Sequence, residues 1–371
     1  MKNVMGIISL SDNNQYLSGL VRFRPIASVP FGGRYRVIDF ILSSMVNSGV
    51  RNVGVVTQNK HRSIIDHLRS GKDWDLDRKR DGLFILTPEI DSCANLNKGV
   101  LQNIYDNFDY INHSKQKYVI ITEGDVICNL DFNKAFEYHL NTNADITVLY
   151  KDMKNTDNNY FLGTEIKLTD EGRVVDMKVN RQILGHKKIS MDMFIMEKNL
   201  LMDLVDACVS RGYYNFIKDA LIRNISMLDI YGYPYTGYMA KIYSLQSYYH
   251  YNMDLLNNET RKSLFYNPGF VYTKVKDGPP TKYMFSSKVS NSLVANNCVI
   301  EGKVENSILF RGVKVAKGAH IKNSILMQKT VIEQNALVEN TITDKEVRIT
   351  KDRHIRGEKN YPIYIEKKMV I

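Results

Sequence analysis

Apolar residues in the first 150 positions come in short continuous runs, separated by stretches where they recur every three or four residues. Residues 4–10, 53–57, 83–87, 118–122 and 146–150 are runs of this first kind, the pattern of strands buried on both faces. Between them, 37–46 carries Ile38, Ile41, Leu42 and Met45 at helical spacing, with Gly49 as a stop, and 60–70 ends at Gly71. The spacing predicts further helices over 100–112 and 132–140. Strand alternating with helix predicts an α/β fold with a mostly parallel sheet covered by helices on both faces. Such sheets hold ligands at the carboxyl ends of their strands. Residues 160–196 are richer in strand, with alternation over 163–168 and 173–179, and helical spacing returns at 199–209, 216–225 and 244–256.

The texture changes after 266–284, a segment with Pro268, Pro279, Pro280 and little periodicity that reads as a linker. From 287 to 349 no proline occurs. Asn-Ser-Leu at 291–293 returns as Asn-Ser-Ile at 306–308 and 323–325 and as Asn-Thr-Ile at 340–342, at offsets of 15, 17 and 17. Ile325, Val331 and Leu337 are six apart. A period near six nested in one near eighteen describes a triangular coil with one inward aliphatic per side and Asn or Gly at the corners, a left-handed parallel β-helix. The expected organisation is therefore an α/β domain over 1–265, a linker over 266–284 and a β-helix with a terminal tail over 285–371.

Composition narrows the function without choosing it. Lys plus Arg is 50 against 40 for Asp plus Glu, a formal net charge of +10, which permits an anionic ligand but does not require one. The densest basic cluster, Arg78-Lys79-Arg80, lies among Asp73, Asp75, Asp77 and Asp81 and reads as a solvated loop. Cys93, Cys128, Cys208 and Cys298 lack the spacing of a zinc site or a redox pair, as expected for reduced thiols in a cytoplasmic protein. The run at 4–10 is too short to cross a membrane, so no membrane role is expected. Tyrosines 248, 249 and 251 lie in a helical context and read as core or interface packing; a nucleic-acid partner is not expected.

The string Pro30-Phe31-Gly32-Gly33-Arg34-Tyr35-Arg36-Val37-Ile38-Asp39-Phe40 is long and specific. With Asn47-Ser48-Gly49-Val50, Val55-Val56-Thr57-Gln58, Gly124-Asp125, Ser190-Met191, Phe216, Lys218-Asp219, Gly237-Tyr238 and Asn252-Met253-Asp254-Leu255-Leu256, it resembles the ADP-glucose pyrophosphorylase (glucose-1-phosphate adenylyltransferase) family over nearly the whole chain. The resemblance implies a Rossmann-like nucleotidyltransferase domain, a β-helix behind it, an oligomer that is usually a tetramer, and a role in glycogen or starch synthesis. The family reaction joins ATP and glucose 1-phosphate into ADP-glucose and pyrophosphate. Cations, Mg2+ and backbone N–H groups neutralise the leaving pyrophosphate.

This chain departs from the family where that chemistry resides. The family's G-G-x-G-x-R-L reads Ser11-Asp12-Asn13-Asn14-Gln15-Tyr16-Leu17, so the glycines are gone and Tyr16 replaces a phosphate-binding Arg. R-A-K-P reads Arg24-Pro25-Ile26-Ala27, with Ile26 at the catalytic lysine's place. G-T-A-D-A-V reads Gly99-Val100-Leu101-Gln102-Asn103-Ile104, and E-K-P reads Val179-Asn180-Arg181. In D-F-G-K-D a metal-binding Asp is Asn215, and G-Y-W-x-D-V-G-T has lost its Asp in Gly237-Tyr238-Met239-Ala240-Lys241-Ile242-Tyr243-Ser244. Asp125 is the one catalytic-type carboxylate retained. It is the candidate metal ligand and, with Gly99, the candidate substrate contact. The resemblance implies Mg2+ for the family, and the degraded positions Tyr16, Ile26, Asn180 and Asn215 imply that this chain does not hold it.

Two readings of different class follow. In the first, the chain resembles the accessory, regulatory-type bacterial subunit: itself inactive or weakly active, it assembles with a catalytic subunit, as a hetero-tetramer by resemblance, and alters that subunit's kinetics. Self-association is the other assembly open to it. In the second, it is an active adenylyltransferase in which Arg22, Arg24, Lys178 or Lys187 replaces the missing cations. A third reading, a hexapeptide-type acyltransferase in the coil, has only His320 to offer. Arg34 and Arg36, with Lys274, Lys276 and Lys282 of the linker, are the candidate contacts for a phosphorylated effector.

Overall fold

The structure, a computed structural model, describes residues 1–10, 17, 19–58, 60–87, 99–155, 162–182 and 185–371. Ser11 to Tyr16, the degraded phosphate loop, and Cys93 lie outside the described residues. Two compact units divide the chain. One comprises Met1–Asn13, Phe40–Met239 and Pro268–Tyr272; the other comprises Asn14–Asp39, Ala240–Asn267 and Thr273–Ile371.

The first unit is built on a nine-stranded sheet. Its strands are β1 (Val4–Ser9), β2 (Asn52–Val56), β3 (Gly82–Leu86), β4 (Tyr118–Glu123), β5 (Ile146–Asn155), β6 (Leu162–Leu168), β7 (Val174–Gln182), β8 (Gly185–Glu197) and β9 (Ile230–Tyr235). The order β3-β2-β1-β4 is parallel throughout, and every residue of β1 is buried, which is why that strand reads as an unbroken apolar run. The long strand β8 then pairs antiparallel with β4, β5 and β6; β7 adds antiparallel to β6 and β9 parallel to β5. The parallel half is the part that alternates with helices in the sequence; the strand-rich 160–196 supplies the antiparallel part.

Helices form where the apolar spacing places them, with two local differences. The stretch 100–112 is two short helices, α1 (Val100–Tyr105) and α2 (Phe108–His113). At the break, Asn107 Nδ2 donates to the Asn103 carbonyl at 2.8 Å and Gln102 Nε2 to Asp106 Oδ1 at 2.6 Å, so polar side chains compete with the helix ladder. The stretch 216–225 is a π-helical turn, Phe216–Leu221, followed by a 3-10 turn, Ile222–Asn224. Leu101 and Ile104 of α1 and Leu201, Leu204 and Val205 of α3 (Lys198–Val209) join the buried cluster against the sheet.

In the second unit, 282–365 form a coil of three five-stranded parallel sheets, one per side. On the first side, Lys282–Tyr283, Val299–Ile300, Lys314–Val315, Val331–Ile332 and Arg348–Ile349 stack in register. The corner residues Asn291, Asn306, Asn323 and Asn340 have φ between 41° and 48°, in the left-handed region that Asn tolerates better than most residues. This is the part that the Asn of each triplet plays. The Ser or Thr that follows adds a buried ladder: Ser292 Oγ accepts from Ser307 N–H, Ser307 Oγ from Ser324 N–H, and Ser324 Oγ from Thr341 N–H, at 3.1–3.2 Å.

The inward register of the coil is one residue on from the expected one. The axis is filled by Leu326, Ile332 and Val338, not by Ile325, Val331 and Leu337. Both sets are six apart, so the period alone leaves the phase undecided; adjacent strand residues point to opposite faces. Ile308, Ile325 and Ile342 form an outward row on the third side and are nevertheless fully buried. Other parts of the same unit cover that side. Tyr249, on α4 (Leu245–Met253), donates its hydroxyl to the Asn323 carbonyl at 2.6 Å. At Gly33, with φ of 79°, a Cβ would lie 3.6 Å from the Leu309 carbonyl oxygen, so the Gly32-Gly33 pair lets this backbone turn against the coil. The fully buried Tyr248 donates to the Pro30 carbonyl at 2.7 Å. Tyr248 is therefore core packing, and the half-buried Tyr249 holds the helix to the coil.

Candidate functional site

At the carboxyl ends of β1 and β4, where a parallel sheet holds its ligand, Ser9, Ile121, Thr122 and Glu123 line a cavity of about 60 Å³. Asp192, Phe194, Val100 and the segment Asn215-Phe216-Ile217 complete its walls. Asp192 reaches it from a register shift in β8 between Ser190 and Phe194, with φ of 53°, and its N–H donates to Ser190 Oγ at 3.0 Å. Sites for drug-sized ligands enclose about 300–1,000 Å³, so this cavity holds far less than a nucleotide. Its polar side is acidic or neutral and its other side apolar, the opposite of a polyphosphate cradle.

The expected site residues occupy other roles. Asp125 is 6% exposed in the turn between β4 and the short strand Val126–Cys128, and the carboxylates at the cavity are instead Glu123 and Asp192. Gly99 caps α1; a Cβ there would stand 2.3 Å from the Tyr214 carbonyl oxygen, so the missing side chain is required by backbone packing. Asn215 lines the cavity but caps the π-helical turn: its Oδ1 accepts from Lys218 N–H at 2.8 Å, and its own N–H donates to Asp219 Oδ2 at 3.0 Å. Asn180 lies on β7. Ile26 is 2% exposed in a 3-10 turn, Ile26–Ser28, of the second unit, where an apolar side chain is at home and an ammonium is not.

Among the described residues, no three His, Cys, Asp or Glu side chains come together to hold a metal ion, and the amide at 215 supplies one neutral oxygen that a helix N–H already uses.

The cations suggested as replacements all meet carboxylates. Arg22 pairs with Glu366 at 2.9 Å, Lys178 with Asp176 at 3.8 Å and Lys187 with Glu165 at 2.8 Å. Arg24 forms a buried ion pair with Asp344, and its Nε donates to the Leu20 carbonyl at 3.0 Å. Asp344 also accepts from the Tyr364 hydroxyl at 2.8 Å and from Lys345 N–H at 2.7 Å. Burial works against ionisation of Asp344, yet Arg24 and these hydrogen bonds hold its carboxyl below the usual carboxylate range. His320 of the coil pairs with Glu305 at 2.6 Å, a half-exposed pair with the look of a surface contact.

Charge accumulates instead in the second unit. Burial first, then Arg36, Arg24 and Lys276, lower the Lys345 ammonium to about 7 against the pull of Asp344. Arg311 faces Arg34, Tyr35 and Asp39, and burial followed by Arg34 lowers its pKa too. Arg36 contributes its N–H to Asp39 Oδ2 at 2.9 Å. The expected effector contacts Arg34 and Arg36 thus lie among further cations. Lys345 and Arg311 escaped the sequence reading because they sit far from the linker lysines in the chain. The available signal was that Asp344-Lys345 interrupts the aliphatic pattern straight after the last Asn-Thr-Ile triplet.

Comparison with known proteins places these two sites in context. The Nucleotidyl transferase family matches residues 16–225, and the family described as GlmU-like, C-terminal hexapeptide matches 279–360. The chain is 36% identical to the glycogen biosynthesis protein GlgD of Bacillus subtilis (strain 168), covering 99% of this chain and 96% of that one. It is 37% identical to GlgD of Geobacillus stearothermophilus over 85% and 82% of the two chains. It is 32% identical to the glucose-1-phosphate adenylyltransferase of Bacillus mycoides (strain KBAB4) over 93% and 92%. The hexapeptide match agrees with the left-handed form of the coil.

Proposed function

Because this chain belongs to the nucleotidyl transferase family, in its GlgD-like ADP-glucose pyrophosphorylase group, we propose that it serves glycogen biosynthesis as a regulatory subunit of glucose-1-phosphate adenylyltransferase. In this reading it has little or no turnover of its own and holds no Mg2+. It assembles with a catalytic subunit in the cytoplasm, as a mixed tetramer, and changes that subunit's kinetics. The coupling is a free energy between sites, carried by differential binding rather than by chemistry on this chain.

One observation carries the reading: every cation that might have replaced the family's phosphate-binding groups, Arg22, Arg24, Lys178 and Lys187, is paired with a carboxylate. Losing one preorganised electrostatic group costs about 10²–10³ in rate. Losses within one machine do not simply multiply, but two of that size leave little measurable turnover. The apolar Ile26 and the capping role of Asn215 support the same conclusion. The grouping of Arg36, Arg24 and Lys276 about Lys345, and of Arg34 with Arg311, supports an effector site for a phosphorylated metabolite on this chain.

The test is to produce the chain alone and together with a catalytic glucose-1-phosphate adenylyltransferase subunit, then to measure ADP-glucose formation from ATP and glucose 1-phosphate with Mg2+. The expected result is no turnover by the lone chain, a mixed oligomer on co-expression, and a shifted substrate or effector dependence of the catalytic subunit. Robust turnover by the lone chain would establish it as an enzyme in its own right. Failure to form a mixed oligomer, with unchanged partner kinetics, overturns the regulatory reading.

A further inference from the structure

The cavity at the carboxyl ends of β1 and β4 is rich in hydrogen-bond acceptors. Its polar lining is Ser9, Thr122, Glu123, Asp192 and Asn215, with no cation among the described residues. Thr122 donates its hydroxyl to the Glu123 carbonyl at 3.0 Å, so toward any other group it presents lone pairs alone. Glu123 and Asp192 each have other interactions, but an ionised carboxylate carries about four acceptor sites, so a further ligand can join without displacing them. Ser9, at the end of β1, is 1% exposed, and its Oγ finds no hydrogen-bond partner among the described residues. A buried hydroxyl left unpaired is costly, and folded proteins leave few of them so. Asp192 stands beside it in a left-handed backbone, φ 53°, fixed by the 3.0 Å bond from its N–H to Ser190 Oγ. Backbones of this kind persist where ligands are clamped.

We propose that this cavity binds one singly charged cation of the size of ammonium or potassium, held by Ser9, Glu123 and Asp192 with the neutral oxygens of Thr122 and Asn215. Size selects such an ion. The cavity measures about 60 Å³, and a water-sized particle needs roughly 10–15 Å³ of such space. Ammonium has donors and no acceptor, the complement of this lining, and potassium asks for the same oxygens. A divalent ion such as Mg2+ demands near-octahedral geometry and sheds its waters reluctantly. No third His, Cys, Asp or Glu side chain joins the two carboxylates among the described residues. The rest of the wall is apolar, which strengthens the attraction of the carboxylates for an ion that is lightly hydrated. The ligating residues come from β1, β4, the register shift of β8 and the π-helical turn at 215, so the ion fastens that turn to the sheet. This clamp works in the same way whether the chain regulates a partner or turns over substrate itself.

The test is thermal melting of the full-length chain at constant ionic strength, with choline chloride replaced stepwise by potassium chloride or by ammonium chloride. Choline is too large for the cavity and serves as the reference salt. The expected result is a melting temperature that rises by a few degrees and saturates, as a ligand bound only by the folded state requires. A saturating response to either ion supports the site, and the ion that acts at the lower concentration identifies the preferred occupant. Asp192→Asn keeps the shape and tolerates the left-handed backbone, and it is expected to weaken the response about tenfold or more. Ser9→Ala, the milder change, is expected to weaken it a few-fold. Melting in choline chloride alone checks that both variants are folded. No difference between the three salts in the parent chain overturns the site. So does a response of equal strength in the parent chain, Asp192→Asn and Ser9→Ala, since the ion is then bound elsewhere.

Discussion

In the sheet unit, the polar groups that face the cavity among the described residues are Glu123, Asp192, Asn215, Ser9 and Thr122, not one of them a cation. In the coil unit, Arg36, Arg24 and Lys276 each bear on Lys345, and Arg34 bears on Arg311. The two regions belong to one family scaffold, yet the described lining of one is acidic, neutral or apolar while the other brings cations together. The sheet is retained by packing, since its strands are buried apolar runs that fold whatever lies at their ends. The cations of the coil unit bring no comparable gain in packing. Clustered like charge is destabilising.

The largest effect should come from the ion pair that borders the cluster. Asp344→Ala is expected to cost about 3–5 kcal/mol in urea unfolding, because it leaves the Arg24 guanidinium buried without its counter-charge. The double variant Arg24→Met with Asp344→Leu should recover most of that loss. The stabilisation from Asp344 is fully present above the unfolded carboxylate value of about 3.9 and is lost as pH falls through its depressed folded value, so the parent and Asp344→Ala should converge in acid. Stability of Asp344→Ala equal to the parent at pH 7 would show that Arg24 is solvated and that the cluster is not set apart from water as described.

A second measurement addresses the register of the coil. Ile332→Ala should cost about 2–5 kcal/mol, while Val331→Ala, one residue away and half-buried on the outer face, should cost under about 1 kcal/mol. Equal losses in thermal or urea unfolding would place the axis elsewhere. A loss smaller than that at Ile332 is expected at a corner. Asn340→Ala puts a Cβ residue with no compensating side-chain hydrogen bond at φ of 48°, and it removes the 2.9 Å bond from Asn340 Nδ2 to the Gly357 carbonyl. A loss of roughly 1–2 kcal/mol follows from the left-handed conformation alone. No loss would mean that the corner relaxes and that the triplet serves something other than the turn.

Much of this was legible before any coordinate. The strands β1 to β4 stand out because burial on both faces demands continuous apolar residues, and the coil stands out because its Asn corners recur at a fixed interval. The departures from the family at Ile26 and Asn215 were legible as well. What each residue does instead was not: that Asn215 caps a turn, and that Gly99 yields to the Tyr214 carbonyl, depend on neighbours that only folding supplies. The break in 100–112 escaped because the side-chain hydrogen bonds at Asn103 and Asp106 compete with a ladder that spacing alone predicts to be whole.

By itself, then, the amino-acid sequence determined the element types, the repeat length of the coil and the departures from the family's phosphate-binding motifs, because each rests on residue type at short separation. The tertiary structure alone decided the phase of the coil, where two series of identical spacing differ only in which face they present. It also decided the grouping of 14–39 and 240–267 with the coil, and the meeting of Arg24, Arg36, Lys276 and Lys345 from segments up to hundreds of residues apart. Local pattern carries periodicity and chemistry; it does not carry which distant charges share one dielectric environment, and that is set only when the chain closes on itself.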